Sequence, residues 1–374
     1  MSGHIVKRGK GYSIVLELGR DASGKRRTRW ISGFRTKKQA QAKLADLQYE
    51  IRNGSYIEPA RLTTGQWLDE WIEKWCGHLK PYTRRGREFI IGQMKAEIGD
   101  IPLQKLSGRD VQQMINRYSE VGTNANRGPL SPSTIGKHMT CLSAALNKAV
   151  ELELLRRNPV TATVRPRIER SDLQILDQDE SKHLLNVLRE TPLYMPVLLG
   201  LTTGMRRGEI LALRWSDVDL EAQTLSVRRN AVQLDKGKVI FNETKTGKSR
   251  PITLPAFVIA ELRRHNIAQK EMRLQVGNRW QDNNLVCCDE TGKALKPEWL
   301  SSRFSYFAKT HGLNITFHGL RHSHASLLLA QGVHMKVVQE RLGHSKLAMT
   351  MDTYSHLAKG MQEEAAERLE VLGG

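Results

Sequence analysis

The chain has 374 residues and a formal net charge of +19, with 26% of its side chains charged and 39% hydrophobic. That length exceeds one ordinary core and implies two or three domains, and so large a basic excess requires a polyanionic partner, nucleic acid first. Cys76, Cys141, Cys287 and Cys288 show neither zinc-ligand spacing nor a secreted disulfide framework, and no apolar run has the form of a signal peptide or the roughly 18 residues of a membrane span. A secreted or membrane protein is thereby disfavoured, and a cytoplasmic one is expected.

The excess charge is uneven. Residues 1–60 carry 13 Lys and Arg against 5 Asp and Glu, and residues 61–170 carry 18 against 11. The remainder is nearly balanced, at 27 against 23. One basic run is usually a solvated surface, but two adjacent ones point to DNA contact over the first half of the chain.

Residues 4–19 predict two short strands around Gly9-Lys10-Gly11, the second carried by Ser13-Ile14-Val15-Leu16-Glu17-Leu18. After a turn at Asp21 to Gly24, Arg26-Arg27-Thr28-Arg29-Trp30-Ile31 predicts a basic third strand, and Thr36 through Ile51 a helix that stops at Asn53-Gly54. A small three-stranded sheet backed by one helix, with Arg and Lys on its open face, suits entry into a DNA groove. Glu58-Pro59 reads as a linker.

Next comes a helix with Trp67, Leu68, Trp71, Ile72 and Trp75 on one stripe, which marks these tryptophans as core rather than as a base-stacking platform. A second strong helix opens at Ser131-Pro132-Ser133 and carries Ile135, Met139, Leu142, Leu146 and Val150. The middle segment is therefore expected to be all helical, with Lys80, Arg84, Arg85, Arg87 and Lys137 available to DNA backbone. Asn158-Pro159, Pro166 and Arg165 to Arg170 read as a second linker. Asp177 with Glu180 forms a capping box ahead of Leu184, Leu185, Val187 and Leu188. Short strands are expected between about Leu225 and Leu254, with turns at Asp235-Lys236-Gly237 and Thr246-Gly247. Helical periodicity returns from Glu298 to the end.

Five short segments of the last domain offer groups suited to a phosphodiester, each weak alone. In Thr203-Gly204-Met205-Arg206-Arg207-Gly208-Glu209 a glycine before a helix lets Arg206 approach a ligand while Glu209 holds a guanidinium from behind. Glu243-Thr244-Lys245-Thr246-Gly247-Lys248 is a hairpin tip with two ammonium groups. His318-Gly319-Leu320-Arg321 places a His and an Arg on one helix face. Leu342-Gly343-His344-Ser345 and Thr350-Met351-Asp352-Thr353-Tyr354-Ser355-His356 complete the set. A lone Tyr near a C-terminus is ordinarily structural; the ordered set Arg, Lys, His-x-x-Arg, His, Tyr changes that reading.

With that order the chain resembles the tyrosine recombinase (phage integrase) family. Arg206 matches the first arginine, Lys245 the hairpin lysine, His318 and Arg321 the His-x-x-Arg pair, His344 the Leu-Gly-His histidine, and Tyr354 the nucleophile. The resemblance implies a multidomain, mainly α protein with small β sheets: an arm-type DNA-binding domain over 1–56, an all-α core-binding domain over 62–160 and a mixed α/β catalytic domain over 172–374. It also implies site-specific strand cleavage and rejoining through a 3′-phosphotyrosine and a Holliday junction, on double-stranded core- and arm-type attachment sites. A homotetramer on DNA, monomeric without it, is expected, with an apolar tail over Ala358 to Leu372 docking on a neighbour and with an excisionase or host DNA-bending protein as accessory.

The chemistry suits these residues on its own terms. A free phenol, with a pKa near 10, is ionised in about one molecule in a thousand at pH 7, so attack needs a base and nearby cations. Arg206 and Arg321 offer planar donor forks to the phosphorane oxygens. Lys245, its pKa lowered by guanidiniums, suits protonation of the leaving 5′ oxygen. By the resemblance, His318 takes the tyrosine proton and His344 bonds the phosphate, although the residues alone leave those two roles interchangeable. No carboxylate cluster has metal-ligand spacing and no Gly-rich loop ends in Gly-Lys-Ser/Thr, so neither metal nor nucleotide cofactor is implied. A type IB topoisomerase shares the catalytic residues, and a DNA-binding regulator with a decayed site is the alternative outside enzymes. Two DNA-binding modules and a complete catalytic set favour recombination over both.

Overall fold

The computed structural model describes residues 3–20, 24–53, 56–57, 61–123, 126–168, 174–234, 237–243, 249–344 and 351. It has two compact units, Met1–Glu169 and Arg170–Gly374. The Glu58-Pro59 linker, the Asp235-Lys236 and Thr246-Gly247 turns and the Ala358 to Leu372 tail lie outside the described residues.

The first unit opens with an antiparallel sheet, β1 (Gly3–Arg8), β2 (Gly11–Arg20) and β3 (Arg26–Phe34), followed by α1 (Lys37–Arg52). Register places Ile5, Ile14 and Ile31 side by side, and they pack with Ala40, Leu44 and Leu47 of α1. Thr36 starts the helix: its hydroxyl accepts the Gln39 N–H at 3.2 Å while the Gln39 side chain accepts the Thr36 N–H at 3.3 Å. Because side chains alternate along a strand, the open face carries His4, Val6, Arg8, Arg26 and Trp30, whereas Arg27 and Arg29 alternate to the helix side. The expected basic open face is thus smaller than the composition of β3 suggests.

A helical module follows, built from α2 (Thr64–Trp75), α3 (Pro81–Ile98), α4 (Gly108–Glu120) and α5 (Pro132–Glu151). Trp67 is fully buried, Trp71 nearly so, and the Trp67 indole donates to the Ala145 carbonyl at 3.0 Å, which satisfies the one polar atom its burial would strand. The module is not wholly helical: Gly122–Thr123 (β4) and Asn126–Arg127 (β5) pair as a two-stranded ribbon. Gly122 adopts φ +96°, which opens this turn after α4, and Gln93 holds the ribbon by donating to the Thr123 hydroxyl at 2.9 Å.

Two further expectations change. Asn158-Pro159 is no linker, because Asn158 is buried and its amide nitrogen donates to Asn147 Oδ1 at 2.7 Å and to the Ser143 hydroxyl at 3.0 Å, fixing a 3-10 turn over Pro159–Ala162 against α5. Arg87 is not simply available to DNA, since its guanidinium lies 5.2 Å from the Trp71 ring and donates to the Cys76 sulfur at 3.5 Å. An ion pair of 2.7 Å joins Arg156 of this module to Glu50 of α1.

In the second unit α6 (Gln178–Leu188) starts at the expected capping box, with Glu180 N–H 2.8 Å from Asp177. Then come α7 (Tyr194–Thr203), α8 (Arg207–Leu211), β6 (Val218–Asp219), β7 (Thr224–Val227), β8 (Arg229–Gln233), β9 (Val239–Glu243) and β10 (Arg250–Thr253). One sheet has the order β10-β7-β6, and β8 pairs with β9 alone. The helix α9 (Ala256–Val276) was not expected: its buried residues Val258, Ile259 and Leu262 all fall near its start, so the rest shows no apolar stripe. Finally α10 (Pro297–Thr310) and α11 (Gly319–Ala330) close on a core centred on α7 and on Leu300, Phe304 and Leu320, and α12 (Met335–Leu342) packs on α11 in a separate cluster of Ala325, Leu329, Val338 and Leu342. Among the described residues no helix is long and apolar enough to cross a membrane.

Candidate active site

The site is assembled where α7, α11 and α12 meet. Helix α7 ends in Gly204 at φ +66°, and a Cβ at that position would stand 2.6 Å from the His324 ring and 2.7 Å from Leu342. Only glycine fits there, both for its conformation and for its neighbours. The chain then turns through Met205 into Arg206, the extended residue capping α8.

Glu209 fixes Arg206 from below. The carboxylate is 4% exposed; it accepts the Arg206 backbone N–H at 2.9 Å and the Arg206 Nη1 at 2.9 Å. It also accepts both terminal nitrogens of Arg250, at 3.2 and 2.7 Å. Burial alone would push the Glu209 carboxyl up, but the hydrogen bond and charge of Arg250, with the N–H and charge of Arg206, outweigh it and hold the group below the usual carboxylate range. Arg206 keeps 36% of its side-chain exposure after this contact, against 13% for Arg250.

Arg321, in the first turn of α11, is 3% exposed. Its guanidinium donates to the Gly204 carbonyl at 2.6 Å and to the Leu342 carbonyl at 2.7 Å. Those carbonyls immediately precede the loops that carry Arg206 and His344, so one cation ties both loops together. Two of its five N–H donors are used in this way. The sequence reading treated Arg321 only as a phosphate ligand; it is a structural clamp as well.

His344 follows Gly343, which terminates α12 at φ +67°. Buried Gln339 fixes the histidine's backbone from both sides, accepting its N–H at 3.2 Å through its own carbonyl and donating its side-chain amide to the His344 carbonyl at 3.0 Å. Burial, with the charges of Arg321 and Arg206 next, pushes the His344 imidazole down to about 4. His318 caps α11, and its ring meets His322 edge-on with centroids 5.0 Å apart. Although His318 retains a solvent-facing side, crowding by its neighbours and the charges of Arg321, Arg206 and Arg207 hold it below the ordinary imidazole value. His322 is pushed to about 4 by burial, then by His318 and Arg321. At neutral pH His322 and His344 are uncharged and His318 is biased the same way, so the imidazoles can accept protons in a field set by arginines.

Of the six residues expected here, Arg206, His318, Arg321 and His344 lie in this neighbourhood. Lys245 and Tyr354 lie outside the described residues. The sequence reading missed Arg250, His322 and Gln339. Arg250 stands five residues past Lys245 in a run already crowded with cations, and nothing in that run distinguishes a buried guanidinium from a solvated one. His322 was legible only as the residue one helical turn beyond His318. Among the described residues no group of three or more His, Cys, Asp or Glu is arranged to hold a metal ion.

Comparison with known proteins identifies the family. The model of the phage integrase family matches residues 174–361, that of the arm DNA-binding domain residues 4–51, and that of the phage integrase N-terminal SAM-like domain residues 63–119. A XerC-like tyrosine recombinase of Caldanaerobacter subterraneus subsp. tengcongensis is 27% identical over 403 residues, covering 99% of this chain and 98% of its own. The ICEBs1 integrase of Bacillus subtilis is 27% identical over 373 residues, covering 96% and 97%. Among solved structures, the integrase of the Tn1549 transposon in complex with a circular intermediate DNA superimposes with a TM-score of 0.69 at 20% identity, over 82% of this chain and 99% of that one. The chain belongs to the phage integrase family and is a tyrosine recombinase, an integrase of the phage and mobile-element kind that cleaves DNA strands and transfers them.

Proposed function

We propose that the chain inserts and excises the DNA of its element at paired attachment sites, with Tyr354 as nucleophile and Arg206, Lys245, His318, Arg321 and His344 as its catalytic set. The observation that carries this assignment is the guanidinium of Arg321 spanning Gly204 and Leu342, which draws the Arg206 and His344 loops onto the residue three places from His318. The phenolic oxygen of Tyr354 attacks the scissile phosphorus, His318 takes its proton, and the bond to the 5′ oxygen breaks as Lys245 protonates the leaving group. Arg206 and Arg321 bear the added charge on the non-bridging oxygens, and His344 donates to one of them. The 3′-phosphotyrosine ester retains the energy of the broken bond, so a second 5′ hydroxyl reseals it without a cofactor.

Two duplexes exchanged at both strands need four cleavages, and each chain brings one Tyr354. A homotetramer on a Holliday junction follows, assembled on DNA from monomers. Residues 1–56 serve arm-type sites, 62–160 and 172–374 grip and cleave core sites, and an excisionase or a host DNA-bending protein sets direction. The work belongs in the prokaryotic cytoplasm, where the chromosome is.

The test is to incubate the protein and its Tyr354→Phe variant with a library of nicked duplexes, denature, and recover protein-linked DNA. Adducts from the wild type alone establish the nucleophile, and the trapped strands give the core sequence. Tight DNA binding with no adduct would leave a DNA-binding regulator as the better account.

A further inference from the structure

We infer that Arg250 is a positioning residue for strand cleavage: it acts on the reacting phosphate only through Glu209 and the His344 loop, and it registers the support of Arg206 against the turn into His344. The inference rests on the assignment of Arg206 and His344 proposed above.

Three contacts carry it. Both terminal nitrogens of Arg250 reach the Glu209 carboxylate, at 3.2 and 2.7 Å, in the bidentate arrangement that fixes orientation as well as distance. Its remaining nitrogen, Nε, donates at 2.8 Å to the carbonyl of Arg341, three residues before His344. The guanidinium is also packed against the turn itself, since a Cβ on Gly343 would fall 2.9 Å from Nη1. Arg250 itself opens β10, so its backbone is held in the sheet by pairing with β7. One planar group therefore joins the support of Arg206 to the turn into His344.

Exposure separates this role from that of a phosphate ligand. Arg206 and Arg250 share the same carboxylate, yet the Arg206 side chain is 36% exposed and that of Arg250 13%. Glu209 accepts one nitrogen from the Arg206 side chain and two from Arg250, so the buried arginine holds the carboxylate and the exposed one is left to be aimed by it. Lysine cannot replace this geometry, because one ammonium does not offer two parallel donors and a third directed elsewhere.

Single-turnover cleavage of a nicked duplex bearing the recovered core site tests the inference on the full-length protein. Arg250→Gln is expected to slow the cleavage step on the order of 10- to 100-fold, as small misplacements of reacting groups do, while the Kd for the same duplex changes less than about threefold. Arg250→Lys is expected to recover part of that loss. The double variant Glu209→Gln/Arg250→Gln should cleave no more slowly than the worse single variant, because both changes cut the same link. Thermal melts show whether each variant is folded; where Arg250→Gln is not, Arg250→Lys carries the test. Wild-type cleavage by Arg250→Lys, a loss lying wholly in Kd, or losses that multiply in the double variant would each overturn the inference. Absence of any wild-type adduct would instead overturn the assignment on which it rests.

Discussion

The guanidinium of Arg321 lies 2.6 Å from the carbonyl oxygen of Gly204, at the turn that delivers Arg206. Its other terminal nitrogen lies 2.7 Å from the Leu342 carbonyl, and the residue is 3% exposed. Removing it strands buried acceptors, at about 1–3 kcal/mol for each. Arg321→Ala is therefore expected both to abolish adduct formation and to lower stability by about 3 kcal/mol, read from denaturant melts. Arg321→Lys keeps the charge and reaches one carbonyl at most, so it should fold better and still cleave poorly. A fully stable Arg321→Ala would show that the clamp does not hold the loops.

Buried histidines make stability depend on pH in one direction. His322, His324 and His344 are each pushed down to about 4, in every case chiefly by burial. A histidine whose folded value lies below its unfolded value of 6.5 binds its proton more readily when unfolded. Its contribution is complete above about 6.5 and is lost as pH falls toward 4. The melting temperature should thus drop between pH 7 and pH 5, before carboxylates titrate. His324, 4% exposed with Nδ1 2.8 Å from the Leu201 carbonyl, has no role in the proposed chemistry, so His324→Gln is the variant expected to flatten this slope. Identical melts at pH 7 and pH 5 would refute the account.

Much of this architecture was legible because local chemistry and global fold agree at particular residues. Thr36 with Gln39 and Asp177 with Glu180 are capping boxes in sequence and in space, and Trp67 and Trp71 follow the spacing of a buried face. Other features depend on partners far away in sequence. Asn158 looks like loop chemistry until Ser143 and Asn147 are beside it, and the basic run around Arg87 does not reveal that its guanidinium covers Trp71. In the candidate site the ordered motif located Arg206, His318, Arg321 and His344, whereas Arg250 and Gln339 were hidden because their work is done by hydrogen bonds to Glu209 and to backbone. Motif order points to the groups proposed to meet a phosphate, not to the groups that hold them.

Asn158 offers a test of the helical module alone. Its amide donates to Ser143 and Asn147, and its side-chain oxygen accepts the Val160 N–H at 3.0 Å. Asn158→Ala leaves several of these buried partners without a bond and is expected to cost about 2 kcal/mol. The loss should appear as an earlier melting transition, with adduct formation at low temperature preserved. An unchanged melt would mean that water replaces the asparagine and that the 3-10 turn is not anchored there.

The open face of the N-terminal sheet gives the last prediction. Trp30 is 51% exposed there, and the Arg8 guanidinium lies 5.7 Å from its ring centroid. Strand alternation puts both on the side away from α1, so an indole and a stacked cation face outward together. An exposed aromatic of this size is costly in water, and a groove contact gives it a partner. If this face meets arm-type DNA, Arg8→Ala should weaken binding to the arm sequence and reduce the salt slope by about one unit, as loss of one phosphate contact does. Trp30→Ala should weaken binding with the salt slope unchanged, because the indole carries no charge. Neither should alter cleavage of an isolated core site. Equal salt slopes for wild type and Arg8→Ala would remove Arg8 from the interface, and a core-site defect in either variant would show that the sheet supports cleavage rather than arm binding.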